Sequence, residues 1–281
     1  MADWSIVVPH AEVARLSELI AGTPDPRLGG YVLTYTAHDY THLEPMRWRI
    51  AQVGAITLSI DLEAPARVRD GGSPHPRNAV TGLRDRPMTL IEAPGRTCGI
   101  TVGLTPAGAH AVLGVPLAEL ANTNVDLVEV LGVRAHRLIE RLGAADCWAE
   151  RFRLLDEQLV AWVRDGPRLA VPVYAAWARL TGTAGRTRID ALAEEIGWTR
   201  QHLGTRFRQQ IGLAPKTVAR VARLHRAATL IAMPDAPSWS EIAHRCGYAD
   251  QAHLNRDFRE LTGSTPSDYA PVDRLPFTPA S

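Results

Sequence analysis

A repeat in the last third of this 281-residue chain limits its possible folds more than any other feature. Residues 193–215, laid over residues 243–266, show one skeleton twice: an Ala, a Gly four residues on, an aromatic, then Leu, Phe, Gly and Pro. The first copy is Ala193, Gly197, Trp198, Leu203, Phe207, Gly212 and Pro215; the second is Ala243, Gly247, Tyr248, Leu254, Phe258, Gly263 and Pro266. The second copy has one extra residue before Leu254, and every later spacing matches. Two helices that cross steeply through a short turn call for these residue types. The Gly ends the first helix at a positive φ, and the Ala lets the helices cross closely. Leu and Phe, four apart, share one face of the second helix. The spacing predicts two helix-turn-helix units in tandem.

The faces of the second helices that Leu and Phe leave free are polar. They carry Arg200, Gln201, Thr205 and Arg208 in the first unit, and Gln251, His253, Asn255, Arg256 and Arg259 in the second. Such side chains pair with base edges in a major groove or with phosphates. The whole chain has a net charge of only +1, so no global basic field marks a nucleic-acid partner or an anionic membrane. The charge is placed locally: residues 185–281 hold 13 basic and 10 acidic residues, residues 1–184 hold 18 and 20. Apolar residues at three- and four-residue intervals predict helices over 171–180, 189–196, 199–210, 215–232, 240–245 and 250–261. Pro215 suits the first turn of the longest, where its missing N–H would have no intrahelical partner.

These residues resemble the AraC/XylS family of bacterial regulators. The stretch I-A-H-R-C-G-Y-A-D-Q-A-H-L-N-R-D-F-R-E-L-T-G-S-T-P-S-D-Y, from Ile242 to Tyr269, follows that family's most recognisable segment, and the resemblance covers roughly residues 170–271. It implies that the helix over 215–232 holds the two units side by side, with the second helix of each entering successive major grooves. It also implies base-facing positions at Gln201, Gly204 and Thr205, and at Gln251, Ala252, Asn255 and Arg256. Gly204 and Ala252 depart from the family's habit of presenting polar groups there, and Arg200, Arg208 and Arg259 fit phosphate contacts.

The N-terminal region reads as α+β. Runs rich in Val, Ile, Thr, Tyr and Trp at 31–36, 48–53 and 55–62 predict strands, and a Pro/Gly loop at 71–77 precedes further apolar runs at 79–83, 88–92 and 98–104. A β-rich sheet or barrel is expected, followed by helices over 107–113, 117–120, 127–142 and 148–163. Asp165-Gly166-Pro167 punctuates the chain. The expected organisation is therefore 1–167 for effector binding or dimerisation, 168–271 for an all-α DNA-binding domain, and 272–281 as a tail. The resemblance implies double-stranded promoter or operator DNA as the partner, a small-molecule effector, a homodimer, and RNA polymerase if the protein activates.

Other chemistries find little support. Cys98, Cys147 and Cys246 stand far apart, and neither a G-x-S-x-G elbow nor a phosphate loop of the G-x-x-x-x-G-K-[ST] type occurs. No enzyme, cofactor or metal site is expected. His38 and His42, near Glu44, read as surface or core histidines, as do His110 and His136. His75, between Pro74 and Pro76, receives no site assignment. Of the two readings of Tyr31, Tyr35, Tyr40 and Trp48, pocket lining and core, their place in strands favours core. An alternative function makes the N-terminal region an enzyme or a sensor of reactive compounds, with Cys98 beside Arg96 as its candidate. No signal-peptide pattern or run of eighteen apolar residues is present, and the expected location is the cytoplasm, without membrane contact.

Overall fold

The computed structural model describes residues 5–9, 18–52, 54–69, 71–233, 235–268 and 277–279. Val53, expected at a strand end, Tyr269 and most of the 272–281 tail lie outside them. The strands are β1 (Ser5–Pro9), β2 (Glu18–Gly22), β3 (Val32–His42), β4 (Met46–Gln52), β5 (Ile56–Glu63), β6 (Arg67–Arg69), β7 (Ala79–Thr81), β8 (Met88–Glu92), β9 (Gly95–Leu104), β10 (Asn124–Asp126) and β11 (Phe277–Pro279). Among the described residues they form two sheets, ordered β1-β4-β8-β6 and β10-β7-β5-β9-β3-β2-β11, and not a closed barrel.

The register of β3, β5 and β9 gives the larger sheet two unlike faces, because directly paired residues point to the same side. Tyr35, Ala37, Leu58, Ile60, Ile100 and Val102 join the apolar core shared with the helices. The opposite face, toward the smaller sheet, carries Thr34, Thr36, His38 and Tyr40 of β3, Thr57, Ser59 and Asp61 of β5, and Thr97 and Thr101 of β9. Thr36, Ser59 and Thr101 stay partly exposed although they lie on the inner strands.

Burying charge on that face requires partners, and most of them are present. The Glu92 carboxylate accepts from the Tyr40 hydroxyl at 3.2 Å and the Thr97 hydroxyl at 3.1 Å, contacts His42 Nε2 at 2.8 Å, and is bonded by Arg67. Arg67 also pairs with Asp61, whose other oxygen lies 3.5 Å from His38 Nε2. Of the aromatics expected in the core, Tyr35 is buried against Phe152 and Tyr40 against Trp48, which is half-buried, as is Tyr31.

Helices α1 (Pro106–Leu113), α2 (Leu117–Leu120), α3 (Leu127–Leu131), α4 (Val133–Ala144) and α5 (Trp148–Asp165) follow. The single helix expected over 127–142 is broken between α3 and α4 by Gly132, whose φ of 56° and ψ of −133° lie outside helical space. Beyond residue 167 come α6 (Val171–Gly182), α7 (Ile189–Ile196), α8 (Arg200–Ile211), α9 (Pro215–Ile231), α10 (Trp239–Arg245) and α11 (Gln251–Thr262). α10 starts one residue before its expected position because Ser238 and Glu241 cap it reciprocally.

One apolar core crosses residue 167 without interruption. It contains Leu117 and Leu120 of α2 together with Leu203, Phe207 and Ile211 of α8, and extends to Val218 and Ala219 of α9. A second, smaller core joins Val221, Leu224, Ala227 and Ala228 of α9 to Ile242, Leu254 and Phe258 of α10 and α11. The long helix α9 belongs to both.

Candidate nucleic-acid interface

Each half of the repeat is built as its residues dictate. Gly197 and Gly247 both take φ +77° at the end of the first helix, and Ala193 and Ala243 are buried where the helices cross. The second helices start with side-chain caps: Thr199 accepts the His202 N–H at 3.1 Å, and Asp250 accepts the His253 N–H at 2.7 Å. Leu203 and Phe207 of α8, like Leu254 and Phe258 of α11, are fully buried, which fixes the opposite faces outward.

On α8, Arg200, Gln201, Thr205 and Arg208 are exposed and Gly204 is half-buried. All five line one groove of about 880 Å³, whose other wall is the start of α9, with Lys216, Thr217 and Arg220. Arg200 also pairs with Asp190 at 3.2 Å across the turn. On α11, Gln251, Ala252, Arg256 and Arg259 are exposed, while Asn255 and His253 are half-buried. The His253 ring sits edge-on to Tyr248 with centroids 5.2 Å apart, so part of it serves the turn. Trp198 and His202 make the same contact in the first unit, at 4.5 Å. A histidine four or five residues after the post-glycine aromatic was the available sign, and it went unread.

Arg220 was also missed. It leaves α9 to bond Asp257 at 2.8 Å and to contact Glu260, tying the connector to α11 while its own residue lines the groove of the first unit. α11 in turn approaches β4 of the smaller sheet.

Residues 192–271 match the family model of a helix-turn-helix domain. This segment is a helix-turn-helix domain. The helix-turn-helix domain is similar to the HTH-type transcriptional activator RhaS of Escherichia coli (strain SE11), with 34% identity over 79 residues, 28% of each chain. This chain thus spans about 28% of the length of the curated relatives it matches. Among solved structures, it is similar to the C-terminal domain of AraT, a response regulator from Geobacillus stearothermophilus. That match has 23% identity and a TM-score of 0.34, and covers 40% of this chain and 91% of that one. A match to ToxT from Vibrio cholerae covers 84% of this chain and 97% of the other, with 9% identity and a TM-score of 0.49.

Proposed function

We propose that this chain is a sequence-specific transcription regulator that binds double-stranded DNA through residues 168–271 and responds to a small molecule through residues 1–167. The observation that carries the reading is the pair of capped helices, α8 and α11, presented on one connector with their apolar sides buried and their polar sides outward. The 17 residues of α9 span about 25 Å at 1.5 Å per residue. That length is of the order of the ~34 Å between successive major grooves, so a rigid α9 suits two neighbouring grooves.

On this reading Gln201, Thr205, Gln251, Asn255 and Arg256 address base edges, Arg200, Arg208 and Arg259 address phosphates, and His253 stands at the rim. Gly204 allows close backbone approach, and the Ala252 methyl suits a thymine methyl. The polar, partly open face of the larger sheet supports a hydrophilic effector. Dimerisation through the exposed side of α4, RNA polymerase contact if the protein activates, and a cytoplasmic location belong to the same proposal. The alternative reactive-sensor role loses its candidate residue: Cys98 is buried, and burial followed by the nearby Asp39 carboxylate pushes its thiol pKa up. Arg96 beside it is held by Asp39 and Glu63.

Selection of bound sequences from a random duplex pool tests the proposal with the full chain. A two-groove motif is expected; failure to enrich any sequence sinks the regulator reading. On the selected site Arg256→Ala should weaken binding by about 1–3 kcal/mol if Arg256 reads a base, and an equal loss on every sequence would make it a phosphate contact.

A further inference from the structure

Among the described residues, the N-terminal half holds buried guanidinium nitrogens without hydrogen-bond partners. Arg84 lies on the crossover that leaves β7 in the larger sheet and enters β8 in the smaller one, is only 8% exposed, and has no hydrogen-bond partner for its buried Nε and Nη1. Arg69, the last residue of β6, is in the same condition at Nε, and so is His75 at Nδ1. The backbone holds Arg69 and His75 together, since the Arg69 N–H donates to Ser73 O at 2.8 Å and the His75 N–H to Arg67 O at 2.9 Å, folding the 71–77 loop over β6. The Arg84 crossover enters β8, which pairs with β6 and sets Leu90 opposite Arg69. Their charges act on one another, since burial and then Arg67, Arg69 and Arg84 hold His75 down at about 4. Burial, Arg86 and Arg69 lower the Arg84 pKa in the same way. Asn124, on the neighbouring edge strand β10, gives its amide N–H to Met88 Sδ at 2.9 Å and keeps a buried carbonyl oxygen without a partner.

Unpaired buried guanidinium donors are costly, and planar oxyanions satisfy them better than any neutral group does. The neighbouring face of the larger sheet is lined with Thr and Ser hydroxyls, which match a ligand that carries hydroxyls of its own. We infer that Arg84, Arg69 and His75 form an oxyanion site for a small hydroxylated organic acid or phosphate ester, the charged end of the effector. This rests on the effector-responsive reading above and specifies its ligand class.

The test is thermal melting of the full chain in inorganic phosphate, gluconate or neutral glucose, at constant ionic strength set with chloride. Phosphate, gluconate or both should raise Tm saturably and glucose should not; which anion acts at lower concentration distinguishes a phosphate ester from a carboxylate. Arg84→Met and Arg69→Met should each weaken the response at least tenfold, and Arg96→Met, an exposed arginine elsewhere, should leave it intact. Arg84→Met without anion should melt no lower than the parent, because it removes an unpaired buried charge. The inference is overturned if neither anion acts, if both act equally on the two Met variants, or if Arg84→Met melts well below the parent and Arg69→Met retains the full response. Duplex selection with the same parent protein keeps the two readings apart: loss of DNA selectivity with the melting pattern intact removes the regulator and leaves the site.

Discussion

His75 carries a pH dependence that its place in a Pro-rich loop did not announce. Burial first, then Arg67 and Arg69, press its imidazole from the ordinary 6.5 to about 4. The unfolded chain therefore takes up this proton near pH 6.5 and the folded chain only near 4, so between those values the unfolded state binds more protons. Stability should fall as pH drops through that window, by up to about 3 kcal/mol from this residue. Urea midpoints measured from pH 7 to 4 should show the decline, and His75→Gln should flatten it; an unchanged slope would mean that His75 titrates normally. The sequence could not show this at residue scale, because the perturbing groups come from β6 and the β7–β8 crossover, and only the fold assembles them. The apolar residues of the repeat were legible for the converse reason. Leu203, Phe207, Leu254 and Phe258 act through local i, i+4 geometry, which spacing alone encodes.

Among the elements, α9 and α11 are joined by a charged contact as well as by packing. Asp257 is nearly buried, and Arg220 supplies its nearest positive charge. Arg220→Met should cost about 3 kcal/mol, because it strands a buried carboxylate. Adding Asp257→Leu should recover most of that loss, since replacing both partners removes the uncompensated charge. Equilibrium urea unfolding of the two variants checks the pair; no recovery in the double variant would show that the contact matters for shape rather than charge. The helices of the last third were found nearly to the residue, because caps and glycines mark their ends. The broken helix at Gly132 was not, since a glycine between two amphipathic runs in phase reads as part of one helix until its dihedral angles are known. Strands β6 and β10, three residues each, were too short to leave a periodic signal.

At the scale of the whole molecule, the punctuation at 165–167 suggests a freely separable reader, and the apolar core argues against one. Gly212 lies so close to α2 that a Cβ there would meet the Leu117 carbonyl oxygen at 2.8 Å, and Gln210 accepts the Ala170 N–H at 2.9 Å. A fragment of residues 168–281 should therefore expose the rear of α8 and melt below the full chain, in two steps, with the α10–α11 unit persisting to the higher temperature. A single transition at the parental temperature would show that the first unit needs no support. The shared core also bears on how such proteins diversify. The α10–α11 unit could be exchanged between relatives as a cassette together with the end of α9 it packs on, because that core is separate from the larger one. The α7–α8 unit could not move without the α2 surface it is moulded to, so the N-terminal half and α8 must be inherited together.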